Sequence, residues 1–285
     1  MIKKLITSIF PICWMLNLKK ELMMVRHQLD IQTRIQQNLY KQVLKVHNLN
    51  TKQTFPSFNE HQTFSQNGED GILAEILSIV GEESKYFIEI GSGDGLENNT
   101  RLLLNLGWTG FWIDGDKNNC QIAKKENESF FKTGALTIVN SIVTTQNVNK
   151  LLSKVNDSST IDVLSIDLDL NTYHIWKTIE EISARIVILE YNGFFPSNCE
   201  WVSDYDPKGW WKGGINMGAS LASITKLSQQ KGYRLIGCDL SGTNAFFVRE
   251  DLAVEHFPKS GNPDLHFEPA RPFLLNNPEH RIDLS

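Results

Sequence analysis

The sequence predicts an α/β fold: a parallel sheet with helices on both faces, an antiparallel hairpin at its end and a helical extension in front. Three observations predict it. From about residue 70 onward, apolar runs of strand length alternate with amphipathic stretches of helical period. Only Leu240-Ser-Gly242 separates the last two strand-like runs, too short a link to hold a crossover helix. Residues 1–56 differ in charge from everything after them, with nine Lys/Arg against two acids, a net +7 that leaves −12 for the rest of a chain of net −5.

The extension comes first. Leu5 to Leu18 is mostly apolar between Lys3-Lys4 and Lys19-Lys20. It is too short to span a bilayer comfortably, is interrupted by Pro11, and is followed by no small-residue cleavage site. Contact with a membrane surface and burial on a partner both fit such a segment. Further on, Leu18, Leu22, Val25, Leu29, Leu39, Val43 and Val46 recur at 3-4 spacing, with Gln32 and Gln36 at intervening stripe positions. Residues 1–50 therefore suit a self-associating helix (a homo-oligomer) or an amphipathic helix packed on its own domain. Thr51 to Asn59, containing Pro56, reads as the linker, which gives an extension over 1–56 and a main domain over 57–285.

The main domain has the material of an enzyme-sized unit: the 285 residues are 41% hydrophobic, enough to bury a substantial core, and no repeat is visible. Its acidity argues against nucleic acid as the main ligand, since a phosphate backbone demands a basic face. The four cysteines are scattered and the seven histidines form no cluster, which suggests reduced thiols and no zinc site. A cytoplasmic location, free or at the inner face of a membrane, follows from that reading.

The first strand ends in the most informative stretch, Tyr86-Phe-Ile-Glu-Ile-Gly-Ser-Gly-Asp-Gly95. Glycines at 91, 93 and 95 let the backbone turn sharply and approach a ligand, although such turns also occur for structural reasons alone. A dinucleotide fingerprint spaces its glycines differently, as G-x-G-x-x-G. Glu89 beside the loop suits the cationic amino group of S-adenosylmethionine and would repel a pyrophosphate, so the spacing favours that cofactor over NAD. The second strand, Gly110-Phe-Trp-Ile-Asp-Gly-Asp116, places Asp114 about twenty residues after the glycines, as a ribose-binding acid requires. Asp116 shares that role or caps the next turn.

Ala135–Val143, Ile161–Asp169 and Arg185–Asn192 follow as third, fourth and fifth strands. Amphipathic stretches around Gly71–Val80, Asn147–Lys154 and His174–Ile182 alternate with the strands, and Ala219–Lys231 is a further helix. Tyr233–Asp239 and Thr243–Arg249 form the closing hairpin. Asp167 and Asp169, with Glu190 and Asn192, then fall at the carboxyl ends of adjacent strands, where open α/β sheets bind ligands. Alternate residues on a strand face the same way, so each pair can reach one pocket. Trp201, Tyr205, Trp210 and Trp211 crowd a loop with Asp204 and Asp206, suiting either a sugar face or a packed lid.

Several segments together resemble class I S-adenosylmethionine-dependent methyltransferases, closest to the FkbM-like group. They are Phe64-Ser-Gln-Asn-Gly-Glu-Asp-Gly-Ile72, the glycine loop with Glu97-Asn-Asn-Thr100, Trp112–Asp116, Ser165–Asp169, Leu189–Asn192, Gly218–Leu221 and Ser241–Arg249. The similarity covers roughly residues 60–275 and leaves out the extension. It implies a Rossmann-like, doubly wound seven-stranded sheet with the last strand antiparallel, and methyl transfer to a hydroxyl, often on a sugar or natural product. It also implies that Gln66 and Glu69 help close the cofactor site, with Ser141 beside it; a helix start capped by Ser65 or Asn67 is the structural alternative for the first segment.

The cofactor set is then Gln66, Glu69, Glu89, Gly91, Gly93, Gly95, Asp114 and Ser141. For catalysis, Asp167, Asp169 or His174 would take the hydroxyl proton. Alternatively Asp167, Asp169, Glu190 and Asn192 would hold a divalent cation such as Mg2+ that lowers the hydroxyl pKa. The acceptor is expected to be a glycan or another small molecule. The chain departs from the family in one motif: Asp169-Leu-Asn-Thr-Tyr173 stands where relatives read Asp-Gly-Asn-Asp-Tyr. Leu170 adds bulk where backbone freedom is expected and Thr172 removes an acid, so a non-catalytic scaffold on the same fold is the runner-up.

Overall fold

The structure is a computed structural model that describes residues 2–51, 56–153, 155, 160–180, 182–212, 214–257, 259 and 261–274. The chain divides into two units at Val46/His47. A single helix, α1 (Ile2–Thr51), carries the extension. It takes in the whole apolar run Leu5–Leu18; the side chains of residues 2–14, and residues 52–55 of the expected linker, lie outside those described. The 3-4 stripe of α1 faces solvent, with Leu22, Leu29, Leu39 and Val43 each 56–64% exposed. Among the described residues, no helix is long and apolar enough to cross a membrane.

The second unit opens with α2 (Glu69–Val80) and β1 (Tyr86–Ile90), followed by α3 (Arg101–Asn105) and β2 (Thr109–Asp114). Helices α4 (Lys117–Glu126) and α5 (Glu128–Thr133) precede β3 (Leu136–Asn140); α6 (Val148–Leu152) precedes β4 (Val163–Ile166). Then come α7 (Thr172–Thr178), β5 (Ile186–Glu190), α8 (Leu221–Gln230), β6 (Tyr233–Cys238), β7 (Asn244–Arg249), α9 (Glu250–His256) and α10 (Pro263–His266).

The strands form one seven-stranded sheet in the order β3-β2-β1-β4-β5-β7-β6. The first five run parallel, and β7 is antiparallel to both β5 and β6. This is the expected α/β fold and the sheet the family resemblance implies. Its continuous apolar strands reflect burial on both faces: all five residues of β5 and all four of β4 are buried. One core lies on the face carrying Ile88, Ile113 and Leu164, the other on the face carrying Phe87, Trp112 and Val163. Each large side chain so enclosed stabilises the fold by about 1.5–3 kcal/mol relative to exposure.

Several elements are shorter than the sequence predicts. The third strand ends at Asn140 because the Asn147 side chain donates to the Ile142 carbonyl (2.9 Å) and accepts from the Thr144 N–H (2.8 Å), curling the chain out of the sheet. The fourth ends at Ile166, and the chain turns at Asp169, whose φ of 47° is left-handed. Local polar bonds also start the helices: Asp116 caps α4 by accepting from the Asn118 and Asn119 N–H groups, and Ser220 caps α8.

Candidate active site

β1 is flanked by β2 on one side and β4 on the other, so the chain reverses its direction of travel across the sheet at the β1/β4 boundary. Loops leaving the carboxyl ends of these two strands part in opposite directions and open a crevice. A cavity of ≈ 1050 Å³ lies there, lined by Gly91, Ser92, Gly93 and Asp94 of the glycine turn but not Gly95, by Asp114, Ser141, Asp167 and Asp169, and by Gln66 and Glu69 just before and at the start of α2.

The three glycines of the turn have different jobs. All have positive φ, at 85°, 57° and 72°. A Cβ on Gly91 would lie 1.8 Å from the Asp167 carbonyl oxygen, and one on Gly95 would lie 2.6 Å from the Trp112 ring, so both glycines permit close packing. A Cβ on Gly93 would meet nothing within 4 Å. Gly93 lines the cavity, so that space is open to a ligand. Asp114 holds the turn from beneath, accepting from the Gly93 N–H (2.8 Å) and, through its other oxygen, from the Asp116 N–H (2.7 Å). Each carboxylate oxygen keeps a further acceptor site for a ligand hydroxyl. Burial raises the Asp114 pKa. Asp116 caps α4 through one carboxylate oxygen and also lines the cavity.

Glu89 lines the cavity but is only 1% exposed, in register with Trp112 on one side and Ser165 on the other. Its oxygens accept from the Asn98 side chain (2.6 Å), the Asn99 N–H (2.9 Å), the Thr100 N–H (3.1 Å) and the Thr100 hydroxyl. Thr100 in turn accepts from the Trp112 indole (2.8 Å), and the Asn99 amide donates to Ser165 (3.1 Å). The acid is thus the anchor of the Asn98-Asn99-Thr100 turn, and burial pushes its pKa to about 7. Glu69 is similar: it accepts from the Asn67 N–H (2.8 Å) and from the amides of Asn67 (3.1 Å) and Asn244 (2.8 Å). Asp70, one residue on, gathers the N–H groups of Thr63, Phe64 and Ser65.

On the opposite wall, Asp167 and Asp169 line the cavity, whereas Glu190, Asn192 and His174 do not. Glu190 is buried, and its carboxyl interacts electrostatically with that of Asp167. Burial and the neighbouring Asp167 and Asp169 charges raise the Glu190 pKa well above the usual carboxylate range; Asp167 is raised to about 7 by burial and by Asp169. The expected four-ligand cation set is not assembled: Asn192 spends its amide on the Ile215 carbonyl (2.7 Å) and the Phe194 N–H (3.0 Å). Among the described residues, no group of three or more His, Cys, Asp and Glu is placed to hold a metal.

His174 lies away from the cavity lining and is tied to the aromatic loop. Its Nε2 lies 2.7 Å from the Ser203 carbonyl oxygen, which can only accept, so that nitrogen carries the proton and ties the aromatic loop down. The ring packs on Tyr205 at 5.3 Å. Of the four loop aromatics only Trp210 lines the cavity, with Lys208 beside it, while Trp201 stacks on Phe195 at 5.3 Å. The atypical Leu170 is accommodated by the backbone. The left-handed backbone falls on Asp169, so position 170 needs no glycine, and the Thr172 hydroxyl accepts from the Leu168 N–H (3.0 Å) to hold the turn.

Sequence reasoning assigned no role to Asn98, Asn99, Lys208 or Asn244, all of which line the cavity. The first two and Asn244 lie in segments that carried the resemblance; Lys208 had no such signal.

No family model and no curated protein matches the chain. Similar solved structures include the N-terminal domain of EvdMO1 with SAH bound, at 15% identity over 65% of this chain and 80% of that one, TM-score 0.42. Another is a SAM-dependent methyltransferase from Aquifex aeolicus, at 10% identity over 61% of this chain and 86% of that one, TM-score 0.39. These likenesses are too distant to decide function, which rests on the site.

Proposed function

We propose that the chain is an S-adenosylmethionine-dependent O-methyltransferase acting on a hydroxyl of a carbohydrate or related small molecule. The observation that carries this reading is the open space at Gly93, set above Asp114 and across one cavity from Asp167. The residues fit the cofactor: the Gly93 backbone accepts close approach, Asp114 can take the two ribose hydroxyls in charge-assisted bonds, and Glu69 with Gln66 closes the side nearest α2. At ≈ 1050 Å³ the cavity is at the upper end for a single small ligand, which leaves room for an acceptor beside the cofactor.

When bound, S-adenosylmethionine supplies an electrophilic methyl group on a sulfonium. Asp167 accepts the proton of the acceptor hydroxyl as that oxygen attacks. Glu190, buried and with its pKa raised well above the usual range by burial and the Asp167 charge, keeps a second carboxyl beside it. The exposed face of Trp210 and the Lys208 ammonium form the outer wall, suited to a sugar ring and its oxygens.

A methyl-transfer assay over a panel of glycans and small hydroxyl compounds tests the reading, with Asp167→Asn as control. Turnover with at least one acceptor, falling about 100-fold in the variant while cofactor affinity holds, is expected. Cofactor binding without turnover across the panel would favour the scaffold reading.

A further inference from the structure

The exposed stripe of α1 is a seven-residue repeat. With Met15, Leu22 and Leu29 as the first core position and Leu18 and Val25 as the second, the apolar spacing is 3-4-3-4 over two heptads. The pattern continues through Gln32 and Gln36 to Leu39 and Val43 without a break in register. All nine positions are exposed, the apolar ones by 39–64%. The helix runs unbroken over Ile2–Thr51, so the stripe stays on one line once two helices supercoil.

We propose that this face pairs with the same face of a second copy of the chain, as a parallel, in-register two-stranded coiled coil over residues 15–43. Size permits it: about 90 Å² buried at each of the nine positions reaches the ~800 Å² per partner of a stable interface. The polar core positions fix the alignment, because any shift by one heptad sets Gln32 and Gln36 against leucine or valine and leaves their amides unpaired. Both the parallel register and one antiparallel register bring glutamine to glutamine.

Charge selects between them. In a parallel pair the flanking residue Glu21 lies beside Arg26 of the second copy, five residues on, and the symmetry repeats the contact. In the antiparallel register Arg26 falls beside Tyr40 and Glu21 meets no cation. Neither Glu21 nor Arg26 has an ion-pair partner in its own chain among the described residues.

Sedimentation velocity of the full chain over a range of concentrations tests this, with Glu21→Lys, Arg26→Glu and the double exchange. A dimer is expected for the wild type. Each single change should raise the dissociation constant roughly tenfold and the double exchange should restore it to about the wild-type value. A wild-type monomer at about 100 µM, or a double exchange no tighter than the singles, overturns the proposal. Binding of that monomer to phosphatidylserine vesicles would assign the stripe to a membrane surface instead.

Discussion

Asp114 and Glu89 are both acids at the ends of buried strands, yet their partners give them different duties. Asp114 is partly buried and keeps acceptor sites open to the cavity, whereas the Glu89 oxygens are taken up by Asn98, Asn99 and Thr100. Asp114→Ala should therefore lower S-adenosylhomocysteine affinity about 100-fold in calorimetry, since hydrogen bonds to charged groups are worth ~1.5–3 kcal/mol each. Glu89→Ala should act first on stability, costing about 3 kcal/mol or more in urea denaturation, because it strands several buried donors. Equal stability of the two variants would contradict this division. Asp167 carries a pH prediction: with its pKa raised to about 7, the carboxylate needed to accept a proton forms only as pH rises through that value. Turnover should climb through about pH 7 and level off above it, and a flat profile across that range would remove Asp167 from proton transfer. The acids were legible in the sequence as chemical types at the right strand ends. Their occupancy was not, because the residues that saturate Glu89 fold back on it through a turn that no local pattern announces.

At the scale of the element, the glycine turn separates packing positions from a position open to the cavity. Gly91→Ala adds a Cβ against the Asp167 carbonyl at a left-handed φ, a combination expected to cost more than about 4 kcal/mol or prevent folding. Gly93→Ala meets no protein atom, so only the left-handed backbone penalty of ~1–2 kcal/mol falls on stability, while the methyl enters the ligand space. Thermal melts with and without S-adenosylhomocysteine check this: Gly93→Ala should melt a few degrees low and lose the ligand-induced shift. A normal ligand shift in that variant would place the cofactor elsewhere. The strands were readable because burial on both faces writes continuous apolar runs. The short α3 and α5 were not, since five and six residues scarcely complete a helical period.

For the whole molecule, the sheet order mattered most and was the least visible. That Leu240-Ser-Gly242 forces an antiparallel pair was legible; that β7 inserts between β5 and β6 follows from packing across the sheet, which no neighbouring residues encode. The same order concentrates buried acids at one edge. Glu89, Asp167 and Asp239 are each pushed to about 7 by burial, and Glu190 well above its usual value. Between the unfolded and folded pKa values the native state binds more protons than the unfolded chain, so stability falls as pH rises through about 7. The thermal midpoint should be higher at about pH 5.5 than at about pH 8, and the reverse order would mean these acids are ionised in the native protein. The central claim, that the crevice between β1 and β4 holds S-adenosylmethionine, is tested most directly by calorimetry of the full chain against S-adenosylhomocysteine and NADH. One-to-one binding of S-adenosylhomocysteine and none of NADH is predicted; NADH binding in its place would contradict the account.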